Sequence, residues 1–264
     1  MRNISTLTLW LIILLGGTMI LTDSCKQAHE VIVVAHRGAS AYAPENTLIA
    51  IKKAMDMEAD YAELDVQLTK DKEVILLHDK NLKRTAGMDA LLKDLTLEEL
   101  KKLEAGAWFG EEFRGEPIPT LQDVIRLVKG KMRLNIEIKT FRPEPEIAQK
   151  VVDIIRSEHF ENQCMVTSFD REVVIAVKQI APEIITGFIF GKNYPDDVFE
   201  GSWDVLSCNH RIVTLEFIQK SREHNKQVYV WTVDGEKTIK RFIDRKVDGI
   251  ISNKPDLVKK ILKN

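Results

Sequence analysis

From about residue 31 to the C-terminus, short apolar stretches rich in β-branched residues alternate with stretches whose apolar residues recur every three or four positions. The first pattern is typical of buried strands and the second of amphipathic helices. Strands that alternate with helices form a parallel sheet, because each helix carries the chain back to the same end of the sheet. The predicted strands are 31–35, 61–68, 73–78, 133–139, 164–168, 184–189, 203–208, 227–233 and 248–252. The predicted helices are 47–57, 121–129, 146–159, 171–180, 215–225, 236–245 and 255–262.

The second and third strands cannot both belong to a parallel sheet. Only four residues separate 61–68 from 73–78, whereas a parallel crossover needs a dozen or more. We therefore predict an antiparallel hairpin, and a turn centred between residues 70 and 71 would place Glu63 opposite His78. Without this return arm eight parallel strands remain, which predicts an α/β fold of the TIM-type (β/α)8 barrel class; such a barrel needs roughly 250 residues.

Residues 81–120 interrupt the alternation. They contain a helix start at Thr96, followed by an aromatic, glycine-rich stretch at 107–115. The segment is too small to build a core of its own. We predict a cap insertion beside the barrel mouth, within one barrel domain that spans residues 26–264.

The N-terminus is a separate kind of sequence. An apolar run of about 15 residues (7–21) follows the single charge of Arg2, and it is short for a hydrocarbon core of about 30 Å. Such a run is typical of a signal peptide, and the small residue before Cys25 resembles a bacterial lipoprotein processing site. We expect residues 1–25 to be this processing segment and the protein to be exported, periplasmic and lipid-anchored at Cys25. An ordinary cleaved signal and an uncleaved anchor are the alternatives.

The charge balance limits the class of partner. The chain has 38 basic and 40 acidic residues, a net charge of −2. Binding to a nucleic-acid backbone requires a marked basic excess, so we expect no nucleic-acid partner, and no obligate protein partner is evident from the sequence. A small anionic ligand needs only a few local charges and is compatible with this composition.

Three acidic residues are predicted at one point of the barrel mouth, where the strands end and active sites of this fold lie. Glu63 and Asp65 are two apart on a strand and share a face, and Glu137 lies on the next barrel strand. Three buried carboxylates repel each other and are costly to desolvate. One divalent cation, Ca²⁺ or Mg²⁺, would relieve the repulsion because both prefer oxygen ligands. The alternative is an ion-pair network with Arg37 and Lys139.

Two histidines are predicted at the same mouth. His36 ends the first strand and His78 ends the return arm; imidazoles titrate near neutral pH and can act as general base and general acid. We assign His36 as base and His78 as acid, but the sequence does not fix the orientation of the substrate, and the reverse assignment stays open. Arg37 and Lys139 would bind a phosphoryl group, or only balance the carboxylates, and Trp231 would form a pocket wall.

Together these motifs resemble the glycerophosphodiester phosphodiesterase family, in the same order from about residue 31 to the end. The matching motifs are His36-Arg37-Gly38-Ala39, Pro44-Glu45-Asn46-Thr47, Glu63-Leu64-Asp65-Val66-Gln67-Leu68-Thr69-Lys70-Asp71, His78-Asp79, Ile118-Pro119-Thr120-Leu121, Glu137-Ile138-Lys139, Ser168-Phe169 and Val230-Trp231-Thr232-Val233. One departure is Ser252-Asn253, where the family often has Thr-Asp. We expect it to change packing or pocket polarity and not to abolish activity.

The resemblance implies metal-dependent hydrolysis of glycerophosphodiesters, such as glycerophosphocholine and glycerophosphoethanolamine, to sn-glycerol 3-phosphate and an alcohol. It implies that Glu45 is an active-site residue that orients a histidine or the substrate. It also implies roles already inferred from the residues, with Glu63, Asp65 and Glu137 as metal ligands and His36 and His78 as acid–base catalysts.

Two alternatives to this function remain. One is a lysophospholipase D or phosphoinositide-type phospholipase that acts on membrane lipid, which a long apolar groove beside Trp108 and Phe109 would favour. The other is an inactive barrel that binds a phosphodiester.

Overall fold

A computed structural model describes residues 30–263, so the predictions for residues 1–25 lie outside the described part of the chain. All nine predicted strands are present, with ends that differ from the prediction by at most two residues. They are β1 (Ile32–Ala35), β2 (Tyr61–Leu68), β3 (Val74–Leu76), β4 (Arg133–Ile138), β5 (Cys164–Ser168), β6 (Ile185–Phe190), β7 (Val205–Asn209), β8 (Gln227–Trp231) and β9 (Gly249–Ser252). All strands except β3 pair in parallel, and β1 contacts both β2 and β9, which closes an eight-stranded barrel. The predicted TIM-type barrel is confirmed.

The hairpin arm is confirmed, but its predicted register is wrong by one residue. Val66 pairs with Leu76, so Glu63 does not face His78 across the hairpin. The reason is the turn. Thr69 N donates to the Glu73 carbonyl at 3.0 Å, which leaves a three-residue loop ending in Lys72 at φ 66°. Hairpins of this kind place a left-handed residue third in the loop, whereas the prediction assumed a two-residue turn.

The helices are α1 (Leu48–Asp56), α2 (Lys83–Ala86), α3 (Leu97–Leu100), α4 (Leu121–Val128), α5 (Ile147–Ser157), α6 (Arg171–Ile180), α7 (Leu215–Glu223), α8 (Glu236–Asp244) and α9 (Pro255–Leu262). The seven predicted barrel helices are thus present, and the two short ones lie in the insertion. Most of the buried apolar side chains lie between these helices and the outer face of the strands. Among residues 30–263 no helix combines the length and apolar character needed to cross a membrane.

The cap insertion follows β3 and is held together locally. Thr96 and Glu99 form a reciprocal capping box at the start of α3. The insertion also has a small cluster of buried apolar residues, which we did not expect from its size. The cluster includes Ile75 and Leu77, on and just after β3, so the insertion is rooted on the hairpin arm and not independent of the barrel.

A small set of side chains fills the inside of the barrel below the mouth. It comprises Val34, Tyr61, Met165, Val205, Tyr229 and Ile251, all buried, and we call it the apolar layer. Above it, Thr167 Oγ1 donates to Asn135 Oδ1 at 2.9 Å. The barrel interior is therefore packed, and only its mouth is open to a ligand.

Candidate active site

A cavity of about 140 Å³ opens at the carboxyl ends of the strands. Seven of the nine predicted site residues line it, namely His36, Arg37, Glu63, His78, Glu137, Lys139 and Trp231. The other two contact Arg37 from behind. Glu45 Oε1 lies 2.9 Å from Arg37 Nη1, and Asp65 Oδ2 lies 3.3 Å from Arg37 Nε. The structure thus brings all nine residues into one connected group.

The three carboxylates of this group converge. Asp65 is in register with Glu137 across β2 and β4, and Glu63 lies on the same face of β2, two residues earlier. One oxygen from each of the three lies within 4.8 Å of the others. All three residues are almost fully withdrawn from solvent.

The pKa values of the three carboxylates are shifted in different directions. Burial, with the charges of Asp65 and Glu137, raises the pKa of Glu63 well above its usual value. Burial and Asp65 also raise the pKa of Glu137 to about 7, although Lys139 opposes the shift. Burial alone would raise the pKa of Asp65 as well, but Arg37 and Lys139 outweigh it and the pKa is lowered. The neighbouring cations therefore stabilise one ionised carboxylate fully, but not three.

The ion-pair alternative is present but incomplete. Lys139 Nζ lies 2.8 Å from Glu137 and 3.7 Å from Asp65. Glu63 Oε2 accepts from the Arg37 backbone N–H at 2.7 Å, but the buried Glu63 Oε1 has no hydrogen-bond partner among the described residues. A free buried carboxylate oxygen beside two others is a donor set that fits a hard divalent cation. The residues present therefore fit the predicted metal.

The turn after β1 positions His36. Arg37 and Gly38 both have positive φ, 52° and 78°, and a Cβ on Gly38 would lie 2.7 Å from the Ala50 backbone. Only glycine tolerates both conditions without strain. This explains why the chain can turn so tightly beside α1 and bring His36 to the mouth.

A chain of polar contacts fixes the His36 ring. His36 Nδ1 lies 2.7 Å from Asn253 Oδ1, and Asn253 Nδ2 donates to Asp234 Oδ2 at 2.6 Å. Because Asp234 can only accept from the amide nitrogen, the amide oxygen must face the ring and accept from Nδ1–H. That leaves Nε2 as an acceptor, 3.9 Å from Glu63 Oε2. Burial, together with Arg37, lowers the pKa of His36, so the ring is neutral at neutral pH.

His78 has a different kind of partner. Its Nδ1 lies 2.7 Å from Asp79 Oδ1, and Asp79 accepts from Arg84 Nε at 2.7 Å. Hydrogen bonding to Arg84 is the main reason that the pKa of Asp79 falls to about 2. Asp79 is therefore ionised at neutral pH, and its carboxylate accepts from His78 Nδ1–H and fixes the orientation of the ring.

Glu45 contacts arginines and not a histidine. It accepts from Arg37 Nη1 at 2.9 Å and from Arg84 Nη2 at 2.7 Å. Within residues 30–263 Glu45 has no direct contact with a histidine, and it is linked to His78 through Arg84 and Asp79. Its direct contacts fix Arg37 and connect it to α2 of the cap.

Four contacting residues were not assigned roles from sequence. Asn46, at φ 57°, donates to Asp65 Oδ2 at 2.8 Å and accepts from Asp65 N at 3.0 Å. Asp79 and Arg84 hold His78, and Asn253 contacts His36 directly. Asn46 and Asp79 lie within motifs that match the family, so the sequence offered a reason to assign them roles. Asn253 stands out in the sequence only as a departure from the family pattern, without its contact to His36, and nothing local marks Arg84, because both contacts depend on the tertiary path of the chain.

An aromatic pair forms one side of the cavity. Trp231 and Phe169 meet edge to face with ring centroids 5.8 Å apart, and Phe169 remains 49% exposed. Lys139 Nζ lies 5.4 Å from the Phe169 ring centroid. Trp231 Nε1 is buried without a hydrogen-bond partner in the described part of the chain. This side of the cavity thus presents an apolar surface and one hydrogen-bond donor, Trp231 Nε1–H, that a ligand could use.

Comparisons with known proteins point in one direction. Residues 36–257 match the model of the glycerophosphoryl diester phosphodiesterase family. A glycerophosphodiester phosphodiesterase of Caldanaerobacter subterraneus is 37% identical over 230 residues, covering 85% of this chain and 95% of the relative. One from Bacillus altitudinis is 34% identical over 237 residues, covering 87% and 97%. A phosphodiesterase of Oleispira antarctica, solved in complex with the product sn-glycerol-3-phosphate, superposes with a TM-score of 0.82 at 27% identity, covering 88% of this chain and 97% of its own.

Proposed function

This chain belongs to the glycerophosphoryl diester phosphodiesterase family and is a glycerophosphodiester phosphodiesterase, and on that premise we propose that it is a metal-dependent hydrolase of soluble glycerophosphodiesters. Substrates of this kind include glycerophosphocholine and glycerophosphoethanolamine, and the products are sn-glycerol 3-phosphate and an alcohol. The supporting observation is that a cluster of three carboxylates adjoins a cavity that is lined by two histidines with unlike partners. Family membership and the complete residue set favour this enzyme over an inactive phosphodiester-binding barrel.

His36 is the general base in this proposal. Its Nδ1 proton is held by Asn253 and its pKa is lowered, so Nε2 carries a free lone pair at neutral pH. Nε2 accepts the proton of the attacking hydroxyl, either the 2-hydroxyl of the substrate glycerol or water. A proton acceptor matched to the working pH contributes roughly 10²–10⁴-fold to a rate.

His78 is the general acid. Its Nδ1 donates to the Asp79 carboxylate, which fixes the orientation of the ring, and in this proposal its Nε2 donates a proton. As the bond from phosphorus to the head-group oxygen breaks, that oxygen receives the proton and leaves as an alcohol. If the glycerol 2-hydroxyl attacks first, the cyclic phosphate is opened by water with the two histidines in exchanged roles, and the product is the same.

Positive charge at the phosphate has two sources. Arg37 and Lys139 line the cavity and stabilise the phosphoryl oxygens, in addition to pairing with the carboxylates. Glu63, Asp65 and Glu137 would hold a Ca²⁺ or Mg²⁺ ion, which when bound supplies Lewis-acid charge to a phosphoryl oxygen. Trp231 and Phe169 give the glycerol carbons an apolar surface.

The test is release of sn-glycerol 3-phosphate from glycerophosphocholine with EDTA, then with Ca²⁺ or Mg²⁺ restored. We expect EDTA to abolish release and one cation to restore it. The Glu137→Gln variant should need a cation concentration at least about tenfold higher than the wild type for half-maximal activity, because a carboxylate ligand is lost. Glu200→Gln, an exposed acidic residue far along the chain, is the matched control. Release that is unchanged by EDTA would contradict the metal assignment.

The lipid-phosphodiesterase alternative has less support. Trp108 packs edge to face on Phe109 and beneath the Arg84 guanidinium, and its indole N–H donates to the Ala105 carbonyl. These contacts tie Trp108 to the cap, and the cavity at the mouth is lined by other residues. Faster hydrolysis of a lysophospholipid than of glycerophosphocholine would reverse this preference.

We also propose that the enzyme works outside the cytoplasm, anchored by lipid at Cys25. The support is the sequence pattern of residues 1–25 alone. Labelling with a radioactive fatty acid should mark the wild-type protein and not Cys25→Ala. Equal labelling, or none in either, would contradict the anchor.

A further inference from the structure

A second cavity, of about 230 Å³, lies at the same end of the barrel as the active site. Its walls come from the end of β2, the cap insertion and the loop after β4. Leu68, Leu91 and the half-exposed Phe141 form its apolar surface, and Lys80, Lys93 and Arg142 carry its positive charges. No part of the mechanism above uses these residues.

The second cavity adjoins the first because the same three segments build both. Gln67 stands two residues beyond Asp65 on β2, Lys80 two beyond His78, and Phe141 two beyond Lys139. Two residues span at most about 7 Å even when fully extended. In each of the three segments, therefore, a residue in the wall of the second cavity lies only two positions beyond a residue of the active site.

The first cavity is too small for a whole substrate. Pockets that enclose a small ligand have volumes of about 300–1,000 Å³, well above the 140 Å³ of the active-site cavity. Phosphate and glycerol must occupy the part beside the histidines and carboxylates. The remaining alcohol has to extend beyond it, and the second cavity offers the adjoining space.

The charges of the second cavity discriminate among alcohols. Three of its wall residues are cationic and one, Glu144, is anionic. Lys80 has no ion-pair partner within residues 30–263, and Lys93 pairs only with the exposed Asp94 at 2.9 Å. Exposed pairs are worth at most about 1 kcal/mol, so an anionic ligand can compete for both lysines. A cationic head group such as choline would be bound less tightly there than an anionic one.

We propose that this second cavity binds the leaving alcohol of the diester and favours an alcohol that carries its own anionic group, such as a second phosphate. The proposal rests on the proposed function and adds the class of head group. Apolar contact with Phe141 holds the carbon skeleton, while Lys80 and Lys93 bind the anion. Arg142 is partly neutralised by Glu144, 2.7 Å away, and contributes less.

The test compares two substrates that differ by one phosphate, glycerophosphoglycerol and glycerophosphoglycerol phosphate. We expect kcat/KM of the wild-type enzyme to be about tenfold higher for the phosphorylated substrate, since two exposed charges contribute about 1.4 kcal/mol together. Lys80→Gln/Lys93→Gln should bring the ratio close to one. Arg142 is left in place because its removal would leave the nearly buried Glu144 carboxylate unpaired.

The control is Lys131→Gln, which removes an exposed positive charge at the opposite end of β4 and should keep the wild-type ratio. A wild-type ratio of one or less, or a ratio that survives in the double variant, would overturn the subsite. So would a preference for lysophospholipid that Phe141→Ala removes, because an acyl chain would then be the occupant. Failure to hydrolyse either diester would overturn the proposed function together with the subsite.

Discussion

The two ends of the barrel interior are built by the same strands and are opposite in character. β2 contributes Tyr61 to the apolar layer and Glu63 and Asp65 to the mouth. β8 contributes Tyr229 to the layer and Trp231 to the mouth. The side chains of the layer are buried in contact with one another. The mouth holds two buried carboxylates with raised pKa values and polar atoms that have no hydrogen-bond partner within residues 30–263.

The difference separates what stabilises the fold from what performs the chemistry. Burial of apolar side chains contributes about 25 cal/mol per Å², whereas buried charges without full compensation cost stability. The mouth should therefore be the less stable end of the barrel, and a ligand should relieve that cost. A substitution at the mouth should therefore affect activity more than stability, and a substitution in the apolar layer should do the reverse.

The largest expected effect lies at the mouth. His36→Gln or His78→Gln should each lower kcat by about 10³-fold, within the range for loss of a general acid or base. The free energy of unfolding should change by less than about 1 kcal/mol, because neither ring belongs to the apolar layer. Activity and urea unfolding are measured on the same preparations. The control is His159→Gln in the exposed turn after α5, and full activity in both site variants would contradict the mechanism.

The next largest effect is expected on stability, from a substitution in the apolar layer. Tyr229 is 1% exposed and its ring packs against Gly249, where an added Cβ would meet it at 2.6 Å. Tyr229→Ala should lower the free energy of unfolding by about 3–5 kcal/mol through the cavity it leaves. The kcat of the folded fraction should stay within a factor of about two. Tyr229→Phe is the matched control. A large fall in kcat with unchanged stability would break the separation of the two ends.

A smaller effect links proton binding at the mouth to stability. Because the pKa of Glu137 is raised to about 7, the folded metal-free protein binds a proton there more tightly than the unfolded chain does. Its contribution to stability is thus present at low pH and declines as pH rises through about 7, by at most about 1.4 kcal/mol per pH unit. The free energy of unfolding is measured with urea in EDTA between about pH 6 and pH 8 for the wild type and for Glu137→Gln. The difference between the two proteins at each pH isolates the contribution of this group.

Added Ca²⁺ or Mg²⁺ should reverse that slope, because the cation displaces the proton and binds more tightly as pH rises. Glu137→Gln should lose the reversal. A wild-type advantage that grows with pH in EDTA would contradict the raised pKa.

The sequence predicted the strong local patterns and missed the contacts that depend on the path of the chain. The strand ends and their carboxylates followed from apolar periodicity and from the rule that active sites lie at the carboxyl ends of barrel strands. The hairpin register failed because nothing marked Lys72 as the left-handed residue of a three-residue loop. Arg84 could not be placed because it reaches Asp79 and Glu45 from within the irregular cap. Asn253 lies 217 residues from His36 along the chain, a distance that no local pattern spans.

The smallest expected effect tests the contact between Asn253 and His36. The exchange Asp234→Asn/Asn253→Asp keeps the net charge and the hydrogen-bond pattern, because the new amide can donate to the new carboxylate. It places a negative charge beside His36 Nδ1, which should raise the pKa of the ring. The base then loses its proton only at higher pH, so the acidic limb of kcat/KM should move to higher pH while the plateau stays within about twofold.

Asp234→Asn alone is the matched control for this exchange. It sets two amide nitrogens against each other and frees Asn253 to turn its oxygen away from the ring, so it should lower kcat/KM several-fold at every pH. A uniform loss in the exchange variant would mean that Asn253 only supports the local structure. A shifted limb with an intact plateau would mean that a carboxamide, in place of a carboxylate, keeps the His36 ring neutral. The active mouth would then depend on a neutral residue beside its base and on an ionised one, Asp79, beside its acid.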